Sequence, residues 1–134
     1  MTKRVLTLIL CYCFSVSCTK EALVTPYQSI TKVVENDRNF HLASFAATRL
    51  GGDSLQVNFS TAWELNIKEM VVMRGSNVTQ FCEVKTLKAT GSSSAPQSYN
   101  VLDKLPVGDT AYYLIKYTTN SGEWGCTNPY KWQN

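Results

Sequence analysis

A chain of 134 residues is long enough for one domain and a targeting segment, but not for two domains. Its hydrophobic content of 44% is typical of a packed core and excludes a disordered chain. The formal net charge is +3. When the segment containing Lys3 and Arg4 is removed, the 13 basic residues become 11 against 10 acidic ones, a net charge of +1. With no concentrated basic face, we expect no nucleic-acid partner.

Residues 1–17 have the pattern of a signal peptide. Lys3 and Arg4 form a positive start, and the apolar stretch 5–16 is too short to cross a bilayer. Small residues precede Cys18, as in Ser15-Val16-Ser17-Cys18, and this arrangement resembles a bacterial lipoprotein signal. The resemblance implies that Cys18 is lipidated and becomes the N-terminus. We therefore expect an exported protein, anchored by its lipid at the outer membrane or cell surface.

Two alternatives to lipidation stay open. Ordinary cleavage with an incidental Cys18 would leave a secreted or periplasmic protein, and an uncleaved segment would leave a membrane anchor. The polar segment 18–39 that follows is interpreted as a lipidated N-terminus and tether that holds a folded head off the membrane.

From Phe40 onward the sequence changes to short alternating runs separated by turn residues, which is an all-β pattern. The strongest run begins at Ala111 and ends at the turn Asn120-Ser121-Gly122, with Tyr113, Ile115 and Tyr117 on one face. Residues 61–66 are predicted as a loop. The other predicted strands cover residues 42–49, 55–60, 68–74, 81–87 and 97–102, and a seventh follows the turn at 120–122. Seven strands and no helical periodicity predict a two-sheet β-sandwich of Greek-key type over residues 40–134.

Several short motifs follow one another along this domain. They are Leu55-x-Val57-x-Phe59-Ser-Thr61-Ala62-x-Glu64-x-Asn66, Val72-x-Arg74-x-Ser76, Phe81-x-Glu83-Val84, Tyr99-x-x-x-Asp103, and Gly108-x-x-x-Tyr112-Tyr113-x-Ile115-Lys116 with Gly122. Their order and spacing resemble the fibronectin type III-like module of secreted bacterial proteins that end in a type IX sorting domain. The resemblance implies an immunoglobulin-like sandwich that serves as a spacer or interaction module. It also implies a Glu64–Arg74 ion pair and a tyrosine-corner hydrogen bond from Tyr112 or Tyr113. Alternation favours Tyr113, because it shares a face with Ile115.

The chain departs from this pattern where the module is usually polar. Val71, Met73, Tyr112 and Leu114 are predicted to share the outer face of two neighbouring strands, and an apolar outer face needs cover. A protein partner or a second copy would make this face an interaction site. Cover by the chain's own residues 23–34 or 129–132 would make it internal, and the sequence favours neither.

Three tryptophans suggest a different ligand. Trp63, Trp124 and Trp132 could stack on sugar rings if exposed, which would make the domain a glycan-binding module. The alternative is that they cap the ends of the core, as mostly buried tryptophans do.

Two modification sites and one disulfide are left open by the sequence. Ser54 and Thr110 lie in short Asp-Ser/Thr-apolar sequences that resemble bacterial O-glycosylation signals, with plain turn residues as the alternative. A disulfide between Cys82 and Cys126 is permitted in an export compartment. The predicted sandwich disfavours it, because the fourth and seventh strands lie at opposite edges of one sheet.

No pattern of catalytic residues is found. His41 is the only histidine, no cysteine pair has metal-ligand spacing, and no glycine-rich phosphate loop is present. We therefore expect no enzymatic activity, metal or cofactor. The favoured function is a non-catalytic envelope lipoprotein that mediates protein–protein interaction or scaffolding, with a glycan-binding module and an orphan spacer domain as alternatives.

Overall fold

The computed structural model of the chain describes residues 37–104, 106 and 108–134. The predicted signal peptide, the lipidated Cys18 and most of the tether lie outside these residues. The described residues form eight strands and no helix, and none of them provides a helix that could cross a membrane. The strands are β1 (Phe40–Arg49), β2 (Ser54–Glu64), β3 (Ile67–Gly75), β4 (Cys82–Lys88), β5 (Gln97–Lys104), β6 (Thr110–Thr119), β7 (Trp124–Cys126) and β8 (Tyr130–Gln133).

The strands form two antiparallel sheets. The three-stranded sheet has the order β1-β2-β5, and the five-stranded sheet has the order β4-β3-β6-β7, with β8 also paired to β6. The predicted all-β fold with two sheets is therefore confirmed.

The prediction of seven strands is wrong by one, because the last strand is interrupted. Both β7 and β8 lie along the same edge of β6. Between them, the Thr127 amide donates to the Ile115 carbonyl, and the Ile115 amide donates to the Thr127 hydroxyl oxygen at 3.0 Å. That side-chain oxygen takes the place of a ladder carbonyl. Pro129 follows and has no N–H to donate to a ladder, so two short strands replace one.

The predicted loop at 61–66 is also wrong for most of its length, since β2 continues to Glu64. The pairing of β2 with β1 shifts register on both sides of Leu42, which marks a β-bulge. Simple alternation would place Thr61 and Trp63 on the same face. The bulge instead turns Trp63 outward and buries both Thr61 and Glu64.

The core lies between the two sheets and is built from the alternating inward residues of each strand. Two aromatic contacts join the sheets: Phe40 stacks on Tyr117 with ring centroids 4.8 Å apart, and Phe45 lies 6.2 Å from Tyr113. The inward residues include Leu55, Val57, Phe59, Met70, Val72, Val101, Tyr113, Ile115, Tyr117 and Trp132. The inward-facing side chains of both sheets thereby form one core.

A polar cluster closes one end of this core. The Arg74 guanidinium forms a 2.7 Å ion pair with Asp103, and the Tyr113 hydroxyl donates to the same carboxylate oxygen at 2.8 Å. The Arg74 and Asp103 side chains are only 11% and 8% exposed. The tyrosine hydroxyl therefore bonds to a side chain, not to the backbone as in a tyrosine corner.

The predicted pair of Glu64 with Arg74 is not formed. Glu64 ends β2 and Ile67 begins β3, whereas Arg74 lies seven residues further along that strand, roughly 20 Å away. The two residues are consequently at opposite ends of the sandwich.

Removing the central carboxylate should be costly. Asp103→Ala leaves Arg74 with a buried charge and Tyr113 with an unpaired hydroxyl, so we expect a loss of about 3 kcal/mol in the free energy of unfolding. Tyr113→Phe should cost about 1 kcal/mol. Urea denaturation measures both, with the exposed Asp53→Ala as the control. Equal stability of the Asp103→Ala and Asp53→Ala variants would contradict this assignment.

Alkaline pH should destabilise the domain through Tyr113. Burial raises the pKa of its hydroxyl, and the Asp103 carboxylate raises that pKa further. An unfolded tyrosine ionises near pH 10, so above that pH the unfolded chain loses a proton that the folded chain keeps. The contribution of Tyr113 to the free energy of unfolding is therefore complete below about pH 10 and is lost as the pH rises above it. Urea denaturation at several pH values above about 9 gives the free energy of unfolding. We expect it to fall less steeply with pH in Tyr113→Phe than in the wild type. Tyr130→Phe, which removes the hydroxyl from an exposed ring, should show the wild-type pH dependence.

Candidate binding surfaces

The outer face of the five-stranded sheet carries the predicted apolar patch. Met73 pairs with Leu114, and Gly75 beside it pairs with Tyr112. Val71, Met73 and Tyr112 keep part of their surface exposed. Leu114 does not: it is 1% exposed, and atoms of this chain alone provide that burial. The centre of the patch is therefore not open to a partner.

Cys126 lies next to this patch, because it pairs with Lys116 on the outer side of β6. Its thiol is free and fully buried, so the disulfide to Cys82 that the sequence left open is not formed. The two residues belong to β7 and β4, at opposite edges of the sheet. Burial raises the pKa of the Cys126 thiol to about 11, although the nearby Lys116 opposes this. The thiol is therefore protonated and unreactive at neutral pH.

The three tryptophans do not form one stacking surface. Trp132 is a core residue, since it pairs with Ala111 on the inward side of β6 and is 5% exposed; its prediction as a glycan-stacking residue is wrong. Trp124 is 38% exposed on the five-stranded sheet, with the Lys116 ammonium 5.3 Å from its ring centroid. Trp63 is 39% exposed on the other sheet. Each sheet therefore offers one exposed tryptophan on which a sugar ring could stack.

Trp124 also borders an open cleft of about 320 Å³ at one end of the sandwich. In this cleft the Tyr117 hydroxyl donates to Asp37. The Tyr117 ring lies over Gly125, where an added Cβ would come within 2.3 Å of the hydroxyl oxygen. The lining combines both charge signs with aromatic rings: Asp37, Arg38, Asn39, Tyr117, Glu123 and Trp124.

Trp63 is held in place by His41. The two residues are cross-strand partners, and their rings stack with centroids 4.4 Å apart and planes 12° from parallel. His41 is therefore engaged in packing. The stack occupies one side of the indole, so only the other side can meet a ligand.

Next to Trp63 lies a surface that sequence reasoning did not identify as a site. On the outer side of the three-stranded sheet, the register aligns three rows across β1, β2 and β5. We call this surface the polar face; its rows are Ser44, Ser60 and Ser98, then Ala46, Asn58 and Asn100, then Thr48, Gln56 and Leu102. The alternation of Gln56, Asn58 and Ser60 with apolar residues indicates a polar side on β2 alone. Only the register shows that all three strands present uncharged side chains together.

A shallow depression of about 290 Å³ lies in the polar face. It is lined by Ser44, Ala46, Asn58, Phe59, Ser60, Ser98, Tyr99 and Asn100. Because Phe59 and Tyr99 point their rings into the core, the polar side chains form most of the outward lining.

Glu64, the last residue of β2, is buried on the inner side of the three-stranded sheet, next to Trp63 in the sequence. One carboxylate oxygen accepts hydrogen bonds from the Tyr99 hydroxyl at 2.6 Å and the Thr61 hydroxyl at 2.9 Å. The other oxygen is buried without a hydrogen-bond partner. Burial, followed by the bond to Glu64, raises the pKa of Tyr99.

The remaining predicted sites lie at strand starts. Ser54 begins β2 and Thr110 begins β6, and both are partly buried; their O-glycosylation stays a prediction. Among the residues that the structure describes, no group of three His, Cys, Asp or Glu side chains could hold a metal ion.

Comparison with known proteins adds no relative: no family model, curated protein or solved structure matches this chain.

Burial of Leu114 leads to a test of the apolar patch. Leu114→Arg places an unpaired charge in a covered position, so we expect a loss of about 3 kcal/mol or more in the free energy of unfolding. Val71→Arg, on the same face but partly exposed, should cost clearly less. Urea denaturation compares them, and size-exclusion chromatography reports the oligomeric state. A fully stable Leu114→Arg variant with a changed oligomeric state would instead identify a contact between copies.

Proposed function

We propose that this chain is a non-catalytic binding module with a fibronectin type III-like sandwich, held at the cell envelope by a lipid on Cys18. The strand order is the observation that supports it best. The resemblance implies that the third and sixth strands are neighbours and that the fourth and seventh lie at opposite edges, and the order β4-β3-β6-β7 agrees with both. Modules of this kind act through their surfaces.

The absence of catalysis in this proposal is supported by where the reactive side chains lie. His41 packs against Trp63, and the Cys126 thiol is buried with a raised pKa. Asp103 is bonded to Arg74 and Tyr113 in a structural cluster. Each of these groups has a packing role, and none faces a cavity together with a second reactive group.

Of the two sheet surfaces, the polar face is the better candidate for recognition. The outward side chains around its depression are short and uncharged, and Trp63 beside it is substantially exposed. The five-stranded sheet offers a protein partner or a second copy only the flanks of its patch, Val71, Met73 and Tyr112, because Leu114 is covered. A protein contact there is the second candidate. A pure spacer would require neither surface.

The anchor can be tested by fractionating cells that express the full chain. We expect the protein in the membrane fraction with incorporated radiolabelled palmitate, and Cys18→Ser should remove the label and release the protein from the membrane. Cys13→Ser is the matched control and should keep both. Equal labelling of the Cys18→Ser and wild-type proteins would contradict lipidation at Cys18.

The binding role needs a separate measurement. The purified full chain in detergent should bind isolated envelope material saturably. A spacer would bind neither the protein fraction nor the polysaccharide fraction of the envelope. Retention that does not saturate on either fraction would contradict the proposed function.

A further inference from the structure

We propose that the polar face binds a neutral glycan, with sugar rings over the side chains of β2 and β5 and one ring stacked on Trp63. This inference rests on the proposed binding function and adds the class of ligand. Four features of the structure lead to it, and each concerns residues outside the core.

The first feature is the absence of charge. Charged residues make up 17% of this chain, and such side chains are mostly exposed in folded proteins. None of the nine positions of the polar face holds one. The charged residues of the three strands lie at their ends, with Arg49, Asp103 and Lys104 at one end and the buried Glu64 at the other. A neutral surface favours a neutral ligand, because neither partner has to strip water from an ion.

The second feature is a pair of free amides at the centre of the face. Asn58 and Asn100 are direct cross-strand partners, and neither side chain has a hydrogen bond to any of the residues described. Each amide offers two donors and one acceptor oxygen. A sugar hydroxyl is also both donor and acceptor, so vicinal hydroxyls can bond to an amide at both of its ends. The hydroxyls of Ser44 and Ser60 lie next to this pair, bonded to each other at 2.6 Å.

The third feature is shape. The short side chains leave a depression of about 290 Å³, near the lower limit of ordinary ligand sites. From Ser60 to Gln56 the face extends about 13 Å along β2, and three strands make it about 10 Å wide. A shallow, elongated surface of this kind suits a chain of sugar rings better than a compact small molecule.

The fourth feature is the position of Trp63. The bulge in the β1–β2 pair brings its ring to the outer side, and Trp63 follows Ser60 along β2 at the end of the polar face. His41 stacks on one side of the indole and restricts its rotation before any ligand arrives. A prepositioned aromatic ring loses little entropy on binding. Its other side is the surface on which a sugar ring would stack.

A polypeptide strand is the main competing ligand, because β1 and β5 are both edge strands within the described sheet. A strand added to either edge would bond to the backbone of that edge. It would not need the Asn58 amide, which lies on the central strand β2. Asn58 therefore distinguishes the two ligands.

The experiment measures binding of the full chain in detergent to a glucan, a mannan, a galactan and the anionic polymer polygalacturonate. We expect saturable binding to at least one neutral polymer, unchanged by added salt because no charge takes part. Trp63→Ala and Asn58→Asp should each weaken binding roughly tenfold, while Trp63→Phe should restore most of it. Trp124→Ala is the matched control, since Trp124 and Trp63 are 38% and 39% exposed, and it should leave binding unchanged.

Thermal unfolding of each variant shows that a loss of binding is not a loss of fold. Binding to polygalacturonate alone, equal effects of Trp63→Ala and Trp124→Ala, or no effect of Asn58→Asp would overturn the inference. Failure of all four polymers while envelope material still binds would overturn the glycan ligand and leave the proposed binding function intact. Failure of both would contradict the binding function itself.

Discussion

The ion pair of Arg74 with Asp103 is the constraint on which the sandwich depends, because it joins the two sheets at a nearly buried position. Arg74 belongs to β3 in the five-stranded sheet and Asp103 to β5 in the three-stranded sheet. Tyr113 from β6 donates to the same carboxylate. A buried carboxylate that loses its partners is strongly destabilising. The sheets are therefore most stable in the alignment that keeps these three side chains in contact. The aromatic contacts of Phe40 with Tyr117 and of Phe45 with Tyr113 join the same two sheets.

This arrangement also separates the charges of the domain from its sheet surfaces. Asp103 lies at the far end of β5, next to Lys104, whose carbonyl accepts a further bond from Arg74 at 3.0 Å. Arg49, at the end of β1, bonds to Asn134. The ions of the three-stranded sheet are thus used at its ends, where they join segments. The middle of the sheet is left neutral, and the polar face owes its chemistry to that distribution.

The sequence predicted the parts of the fold that depend on alternation alone. Tyr113, Ile115 and Tyr117 repeat with period two, and all three are buried as expected. The strand count and the place of Trp132 were predicted wrongly because one residue breaks the period. The side-chain oxygen of Thr127 replaces a backbone acceptor, and the split that follows places Trp132 in the core. Leu114 lies on the outward side by period yet is buried, since period assigns a side chain to a face but does not show what covers that face. The polar face was missed because cross-strand register is not encoded in any single run.

The bulge near Leu42 links the fold to the proposed site. Without it, period two would turn Trp63 into the core with Thr61 and turn Glu64 outward. With it, the indole reaches the surface, and a carboxylate is buried with one oxygen lacking a hydrogen-bond partner. An unsatisfied buried oxygen is costly, and the bonds from Tyr99 and Thr61 offset only part of that cost. Bulges commonly re-aim a side chain beside a functional site. Here the re-aimed side chain is Trp63, the exposed tryptophan of the three-stranded sheet, at the border of the polar face. The free-energy cost of the buried Glu64 oxygen is therefore located beside the proposed binding site.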